Sequence, residues 1–117
     1  MPSASFAPVP SEVTAARHFA EDAGDDLGCV PEDLALVVSE LASNAYKHAQ
    51  SRFTVSLRRE GDHVLVEVAD TDPSPVVALP LSGGTSGRGM CIVAATAANW
   101  GTRLHPAGKT VWATLNC

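Results

Sequence analysis

The sequence contains Ser39-Glu40-Leu41-Ala42-Ser43-Asn44-Ala45-Tyr46-Lys47-His48-Ala49, a stretch that predicts one helix with two different faces. Glu40, Asn44 and His48 recur at every fourth position and form a polar stripe. A carboxylate one turn from a carboxamide can place a proton acceptor beside an oxygen ligand for Mg²⁺, which usually accompanies nucleotide phosphates. A solvated helix face is the alternative. Beside the polar stripe runs an apolar one, made of Leu34, Val37, Val38, Leu41 and Ala45.

Length and composition indicate a single globular domain with its own core. The chain has 117 residues, of which 45% are hydrophobic and 18% charged. A net charge of −5 and the lack of a basic stripe argue against direct nucleic-acid binding. No apolar run reaches the roughly 18 residues that a membrane helix needs. No basic segment followed by an apolar one opens the chain, so we expect no signal peptide and a cytoplasmic protein.

The cysteines do not follow a metal-binding or disulfide pattern. Cys29, Cys91 and Cys117 are isolated, odd in number and never spaced as C-x-x-C. We therefore expect free thiols in a reducing compartment, with Cys91 acting as a small core residue.

Helix signals divide the first half of the chain. The three prolines within residues 1–10 favour a loose leader, which leaves residues 11–117 as the folded domain. Ser11 is expected to cap a first helix that ends at Gly28. Pro31 suits the first turn of a second helix, which carries the two-faced stretch to about Gln50.

Strand signals follow in the second half. Residues 53–57 and 64–68 alternate apolar and polar side chains on either side of a turn at 60–62. After a long loop at 71–87, a third helix is expected from Gly87 to about Asn99, and a hairpin then pairs 100–105 with 109–116. The predicted fold is α+β: a two-layer sandwich of a mostly antiparallel sheet, with four or so strands, and about three helices on one face.

Two further sites could carry chemistry. Asp70 ends a predicted core strand, where a carboxylate can accept a hydrogen bond from an exocyclic amine such as that of adenine; a turn-initiating Asp is the alternative. The glycine-rich residues 82–89 precede the third predicted helix, where backbone N–H groups and the helix dipole favour an anion. A flexible surface loop would explain the glycines equally well. The loop matches neither a Walker motif nor a Rossmann fingerprint.

In their order along the chain, these strings resemble a known family. The S-E-L-x-x-N-A-x-x-H-A string, Asp70, Gly87-Arg88-Gly89 and the late G-K-T-V-W string at 108–112 resemble the histidine-kinase-like (Bergerat-fold) ATPase superfamily. Within it, the short chain is most similar to the anti-sigma-factor serine/threonine kinase branch, in its small actinobacterial form. The resemblance covers residues 11–115, and its first and last strings are the most specific.

The resemblance implies a role for each matching residue. Glu40 would be the catalytic general base that activates the attacking hydroxyl, and Asn44 would hold Mg²⁺ through its side-chain oxygen. Asp70 would bind the adenine amine, and Thr110 would close the adenine pocket. The other nucleotide-binding residues would lie near the phosphates, namely Lys47, His48, Gly87, Arg88 and Gly89.

The implied function is that of an ATP- and Mg²⁺-dependent serine/threonine protein kinase. Its partners would be a sigma factor, which it binds, and an anti-anti-sigma domain protein, which it phosphorylates. Homodimers are common in the resembling family, and we expect no nucleic-acid or membrane partner.

One departure from the family pattern keeps an alternative function open. The superfamily commonly has glycines two and four residues after its Asp, whereas this chain has Asp72 and Ser74, stiffened by Pro73 and Pro75. The alternative is a regulatory module that sequesters a partner, with weak or no nucleotide binding and no phosphoryl transfer. A histidine-kinase fragment and an unrelated α+β protein are further alternatives.

Overall fold

A computed structural model of the chain describes residues 2–49, 51–71, 93 and 96–117, and of residues 48 and 49 it describes the backbone alone. The described elements are β1 (Ser3–Phe6), α1 (Pro10–Leu27), α2 (Pro31–Asn44), a π-helical segment (Ala45–Ala49), β2 (Phe53–Glu60), β3 (His63–Asp70), β4 (Asn99–His105) and β5 (Gly108–Asn116). All strand pairs are antiparallel, and the sheet order is β1-β2-β3-β5-β4. Helices α1 and α2 pack against each other and against the sheet. The predicted α+β two-layer sandwich is confirmed.

The third predicted helix falls mostly outside the described residues. Val93 and Thr96 are helical, and the backbone N–H of Ala97 donates to the Val93 carbonyl at 2.8 Å. Asn99 begins β4, so any helix here ends before the residue at which the sequence placed its end.

Both helices begin at a proline, and α1 ends at a glycine. Proline occupies the first position of α1 and of α2, where its fixed φ suits the helix and its missing N–H is not needed. Gly28 ends α1 with a φ of 72°, as predicted, and its N–H donates to carbonyls of the last turn. The predicted Ser11 cap is wrong, because the helix starts at Pro10 and already includes Ser11, with Val9 as its cap.

The core lies between the helices and the inner face of the sheet. The apolar stripe predicted on α2 is buried, and alternate residues of the central strands face it. Burying these side chains is the main stabilising contribution, on the order of 2 kcal/mol for each large one. The fully buried large apolar side chains are Leu34, Val37, Val38, Leu41, Phe53, Val55, Leu57, Val64, Val66 and Val68.

The expectation of a loose leader at residues 1–10 is wrong, because Ser3–Phe6 form the edge strand β1. The ring of Phe6 stacks on Phe53 at 5.6 Å and meets Phe19 of α1 edge-on at 6.1 Å. Burial of this ring, together with pairing to β2, offsets the entropy of ordering the segment. The prolines flank the strand without interrupting it.

Free thiols at Cys29 and Cys117 were also a wrong prediction, since the two residues form a disulfide across a sequence separation of 88 residues. The fold brings the end of β5 beside the α1–α2 junction. The guanidinium of Arg59 donates there to the carbonyls of Leu27, at 2.7 Å, and Cys117, at 2.9 Å. Cys91 lies outside the described residues. In the described part of the chain, no helix has the length and apolar character needed to cross a membrane.

Candidate functional site

The end of α2 carries the two polar side chains that the sequence singled out. Glu40 and Asn44 are four residues apart on an α-helix, so they lie on one face a single turn apart. Glu40 is partly exposed, whereas only 8% of Asn44 is accessible. The buried Asn44 Nδ2 makes no hydrogen bond to any of the described residues. A buried N–H group without a partner is costly, and a hydrogen-bond acceptor on a ligand would remove that cost.

Immediately after Asn44 the helix changes its winding. Residues Ala45–Ala49 form a π-helical segment, a feature that often marks functional sites. A four-residue spacing places side chains on one face of an α-helix, and the α-helix ends at Asn44. The spacing therefore does not place His48 on the same face as Glu40 and Asn44. Lys47 is exposed on this segment, and the side chain of His48 lies outside the described residues.

Asp70 ends β3, and its partner is Lys109 at the start of β5. The two residues are directly opposite in the antiparallel register. The Lys109 ammonium lies 3.2 Å from Oδ1 and 3.1 Å from Oδ2 of Asp70. Their side chains are only 2% and 1% exposed, so the charges neutralise each other in a low-dielectric setting.

Gly108 fixes the approach of β5 to Asp70. Its φ is 149°, and a Cβ built there would meet the Asp70 carbonyl oxygen at 2.0 Å and the Thr71 Cα at 2.6 Å. A residue with a side chain would push the two strands apart. Glycine at this position therefore lets the next residue, Lys109, reach the Asp70 carboxylate.

The register shows which residue of β5 lies opposite Asp70. Successive side chains of a strand alternate between faces, and Thr110 is paired with Ala69, not with Asp70. The hydroxyl of Thr110 instead lies 3.3 Å from His105 Nε2. Lys109, which sequence reasoning did not select, takes the place beside Asp70. Lys109 lies in the quoted G-K-T-V-W string. Only the register between β3 and β5, which the sequence pattern does not specify, shows that it lies opposite Asp70.

The glycine-rich residues predicted to face the phosphates lie in a part of the chain that the structure does not describe. Gly87, Arg88 and Gly89 lie outside the described residues, as do Asp72, Pro73, Ser74 and Pro75. Their predicted roles stay predictions.

The described side chains fit Mg²⁺ brought by a nucleotide better than a cation held by protein alone. Within the described ranges, no group of three or more His, Cys, Asp or Glu could hold a metal ion. Mg²⁺ usually needs only one or two protein oxygens when phosphates supply others. The side-chain oxygen of the buried Asn44 could supply one, whereas its Nδ2, which has no hydrogen-bond partner in the described chain, is a donor and binds no cation.

Comparison with known proteins agrees with this fold. A family model described as a histidine kinase-like ATPase domain matches residues 6–115, so the chain belongs to that family. The fold is similar to that of the histidine kinase AdeS of Acinetobacter baumannii, with a TM-score of 0.60 and 12% sequence identity. That likeness covers 97% of this chain and 66% of the AdeS chain, just under two thirds. Comparison with curated protein sequences gives no match.

Proposed function

We propose that the chain is an ATP-binding serine/threonine protein kinase of the anti-sigma-factor kind. The observation that carries the proposal is the end of α2, where a partly exposed carboxylate, Glu40, lies one turn from the buried carboxamide of Asn44. Membership of the histidine kinase-like ATPase family supports ATP as the ligand.

The proposed chemistry is phosphoryl transfer, in which positioning and charge stabilisation lower the barrier. Mg²⁺ held by Asn44 would offset the charge on the phosphate oxygens. Glu40 orients the acceptor hydroxyl and removes its proton, a task that its partial exposure permits. Asp70 accepts a hydrogen bond from the adenine amine at the end of β3.

The proposed acceptor is a serine or threonine of an anti-anti-sigma domain protein, and a sigma factor is the competing partner. These partners rest on the family resemblance of the S-E-L-x-x-N-A-x-x-H-A and G-K-T-V-W strings. The net charge of −5 fits a protein partner better than a nucleic acid.

A transfer assay tests the proposal. Each of a set of anti-anti-sigma domain proteins is incubated with the chain, Mg²⁺ and ATP labelled on its γ-phosphate. We expect label on a serine or threonine of one of them, and a loss of about 10²-fold or more with Glu40→Ala at unchanged ATP binding. Glu32→Ala is the matched control, because Glu32 is exposed in the first turn of the same helix. Equal transfer by Glu40→Ala would remove Glu40 from the base role.

Partner sequestration without transfer is the second candidate. The observation that favours it is the Asp70–Lys109 ion pair, because an ammonium already contacts both oxygens that an adenine amine would use. Stable binding of a sigma factor, with neither ATP binding nor transfer, would favour this candidate over the kinase.

A further inference from the structure

A cavity lies at the end of the sheet opposite Asp70. It has a volume of about 270 Å³ and is lined by the start of α2, the end of β5 and residues 96–98. Asn116 on its wall pairs with His63, the first residue of β3, whereas Asp70 is the last residue of that strand. At roughly 3.3 Å per residue, the two ends of β3 are about 23 Å apart. The cavity is therefore separate from the proposed nucleotide site.

The Cys29–Cys117 disulfide forms part of the wall of this cavity. Thiol–disulfide exchange begins when a thiolate reaches one of the two sulfur atoms, so it depends on access to them. The cavity supplies that access from the outside. Cys117 is partly exposed, whereas Cys29 is only 6% exposed. The sulfur of Cys117 is therefore the one that an incoming thiolate reaches first.

Contacts other than the disulfide hold both cysteines in place. The backbone N–H of Cys29 donates to the Gly24 carbonyl at 3.0 Å, and that of Cys117 donates to the Asp62 carbonyl at 3.1 Å. The guanidinium of Arg59 donates to the Cys117 carbonyl at 2.9 Å. Because the backbone is fixed on both sides, the two thiols stay neighbours when the bond opens. The bond can therefore form again without refolding of the chain.

We infer that this cavity is an exchange site at which a low-molecular-weight thiol attaches reversibly to Cys117. The thiolate of the small thiol attacks the Cys117 Sγ, a mixed disulfide forms, and Cys29 leaves as a thiolate that takes a proton from water. A second small thiolate then attacks the small-molecule sulfur of the mixed disulfide. This step releases the disulfide of the small thiol and leaves Cys117 as a thiol. In the reverse direction, the Cys29 thiolate attacks the Cys117 Sγ and expels the small thiol.

The charge on the cavity wall favours a thiol that carries an amino group. Asp33 is the one charged residue among those of the described chain that line the cavity. Arg59, although it contacts the Cys117 carbonyl, is not a lining residue. The carboxylate of Asp33 attracts an ammonium group and repels a second carboxylate. Because Asp33 is exposed, we expect a modest preference, about threefold in rate at low salt.

The first test asks whether the folded protein exchanges. The rate at which cysteamine reduces the oxidised wild-type protein is followed by acid quenching, alkylation and mass spectrometry. We expect a rate proportional to the cysteamine concentration that changes less than about twofold between water and about 1 M urea. Exchange that needs global unfolding would become about fivefold or more faster over the same range. That result, or a wild-type protein that never forms the disulfide, would overturn the inference.

The second test locates the attached thiol. Cys29→Ser and Cys117→Ser are each treated with cystamine, the disulfide of cysteamine, and peptide mapping separates these sites from Cys91. Cys29→Ser should retain cysteamine on Cys117, because the thiol that would expel it is gone. Labelling of Cys29 in Cys117→Ser should be about tenfold slower or more, because Cys29 is buried. Equal or faster labelling of Cys29 would contradict the assignment to Cys117.

The third test asks whether the small thiol enters through the cavity. The reduction rates with cysteamine and with 3-mercaptopropionate, which carries a carboxylate, are compared at low salt. Their ratio should fall about threefold in Asp33→Asn. Glu32→Gln is the matched control, because Glu32 is an exposed acidic residue of the same helical turn that does not line the cavity, and it should keep the wild-type ratio. The same ratio in all three proteins would contradict entry beside Asp33. None of the three tests depends on ATP binding.

Discussion

The ammonium of Lys109 lies within 3.2 Å of both carboxylate oxygens of Asp70, and the two side chains are 2% and 1% exposed. The pair joins the end of β3 to the start of β5 at the point where the sequence predicted a lone carboxylate. Asp70 is thus a buried, charge-neutralised group whose environment depends on a residue 39 positions later.

Breaking this pair should be costly, because the remaining charge would stay buried without its counter-ion. We expect Asp70→Asn and Lys109→Met each to lower the free energy of unfolding by about 3–5 kcal/mol. The free energy of unfolding of the double variant should fall by much less than the sum of the two single losses, since no unpaired charge remains. Urea unfolding of the four proteins measures this, and additive losses would show that the two groups do not interact.

Gly108→Ala should destabilise the protein severely. Its Cβ would meet the Asp70 carbonyl at 2.0 Å, so β3 and β5 would have to separate locally, at a cost of about 3 kcal/mol or more. Gly61→Ala is the matched control, because Gly61 also has a positive φ, 64°, but nothing lies within 4 Å of the new Cβ. The control should lose only about 1 kcal/mol. Similar thermal shifts for both variants would contradict the close strand approach.

Reducing the Cys29–Cys117 disulfide should lower stability by about 2–4 kcal/mol, because it releases a long closed loop in the unfolded chain. Urea unfolding with and without a thiol reductant measures the effect. Cys29→Ser should unfold like the reduced wild type and should not respond to reductant. A wild-type protein indifferent to reductant would mean that the bond does not form in solution.

Phe6→Ala should cost about 3 kcal/mol, since the ring fills the space between Phe53 and Phe19. Ser5→Ala, on the neighbouring position of β1, should be nearly neutral because Ser5 is exposed. Unfolding midpoints of both variants measure the contribution of β1. Equally small shifts of the unfolding midpoint in Phe6→Ala and Ser5→Ala would indicate that residues 3–6 are not part of the fold.

Sequence periodicity predicted the parts of the fold that repeat locally. The stripe from Leu34 to Ala45 and the apolar residues that alternate along β2 and β3 are buried as expected, because one face of each element packs against the core. Strand β1 was missed because it is only four residues long and lies among prolines. Its stability comes from pairing with β2 and from the contacts of Phe6 with Phe53 and Phe19, which the sequence does not reveal.

The features that sequence reasoning missed all depend on distant pairing. Cys29 and Cys117 are 88 residues apart, and only the return of β5 to the helix junction brings them together. Lys109 faces Asp70, and Thr110 faces away, because of a register that no local pattern specifies. Glu40 and Asn44 were found because their spacing is local and the helix alone places them on one face.

The central claim is that the end of α2 forms a Mg²⁺-dependent nucleotide site, and titration calorimetry with ATP tests it most directly. The measurement compares wild type, Asn44→Ala and the control Asn99→Ala, whose asparagine is exposed on β4, each with and without Mg²⁺. We predict binding that requires Mg²⁺, is weakened about tenfold or more by Asn44→Ala, and is unchanged by Asn99→Ala. Wild-type protein that binds no ATP, or Asn44→Ala that binds with wild-type affinity and Mg²⁺ dependence, would contradict the claim.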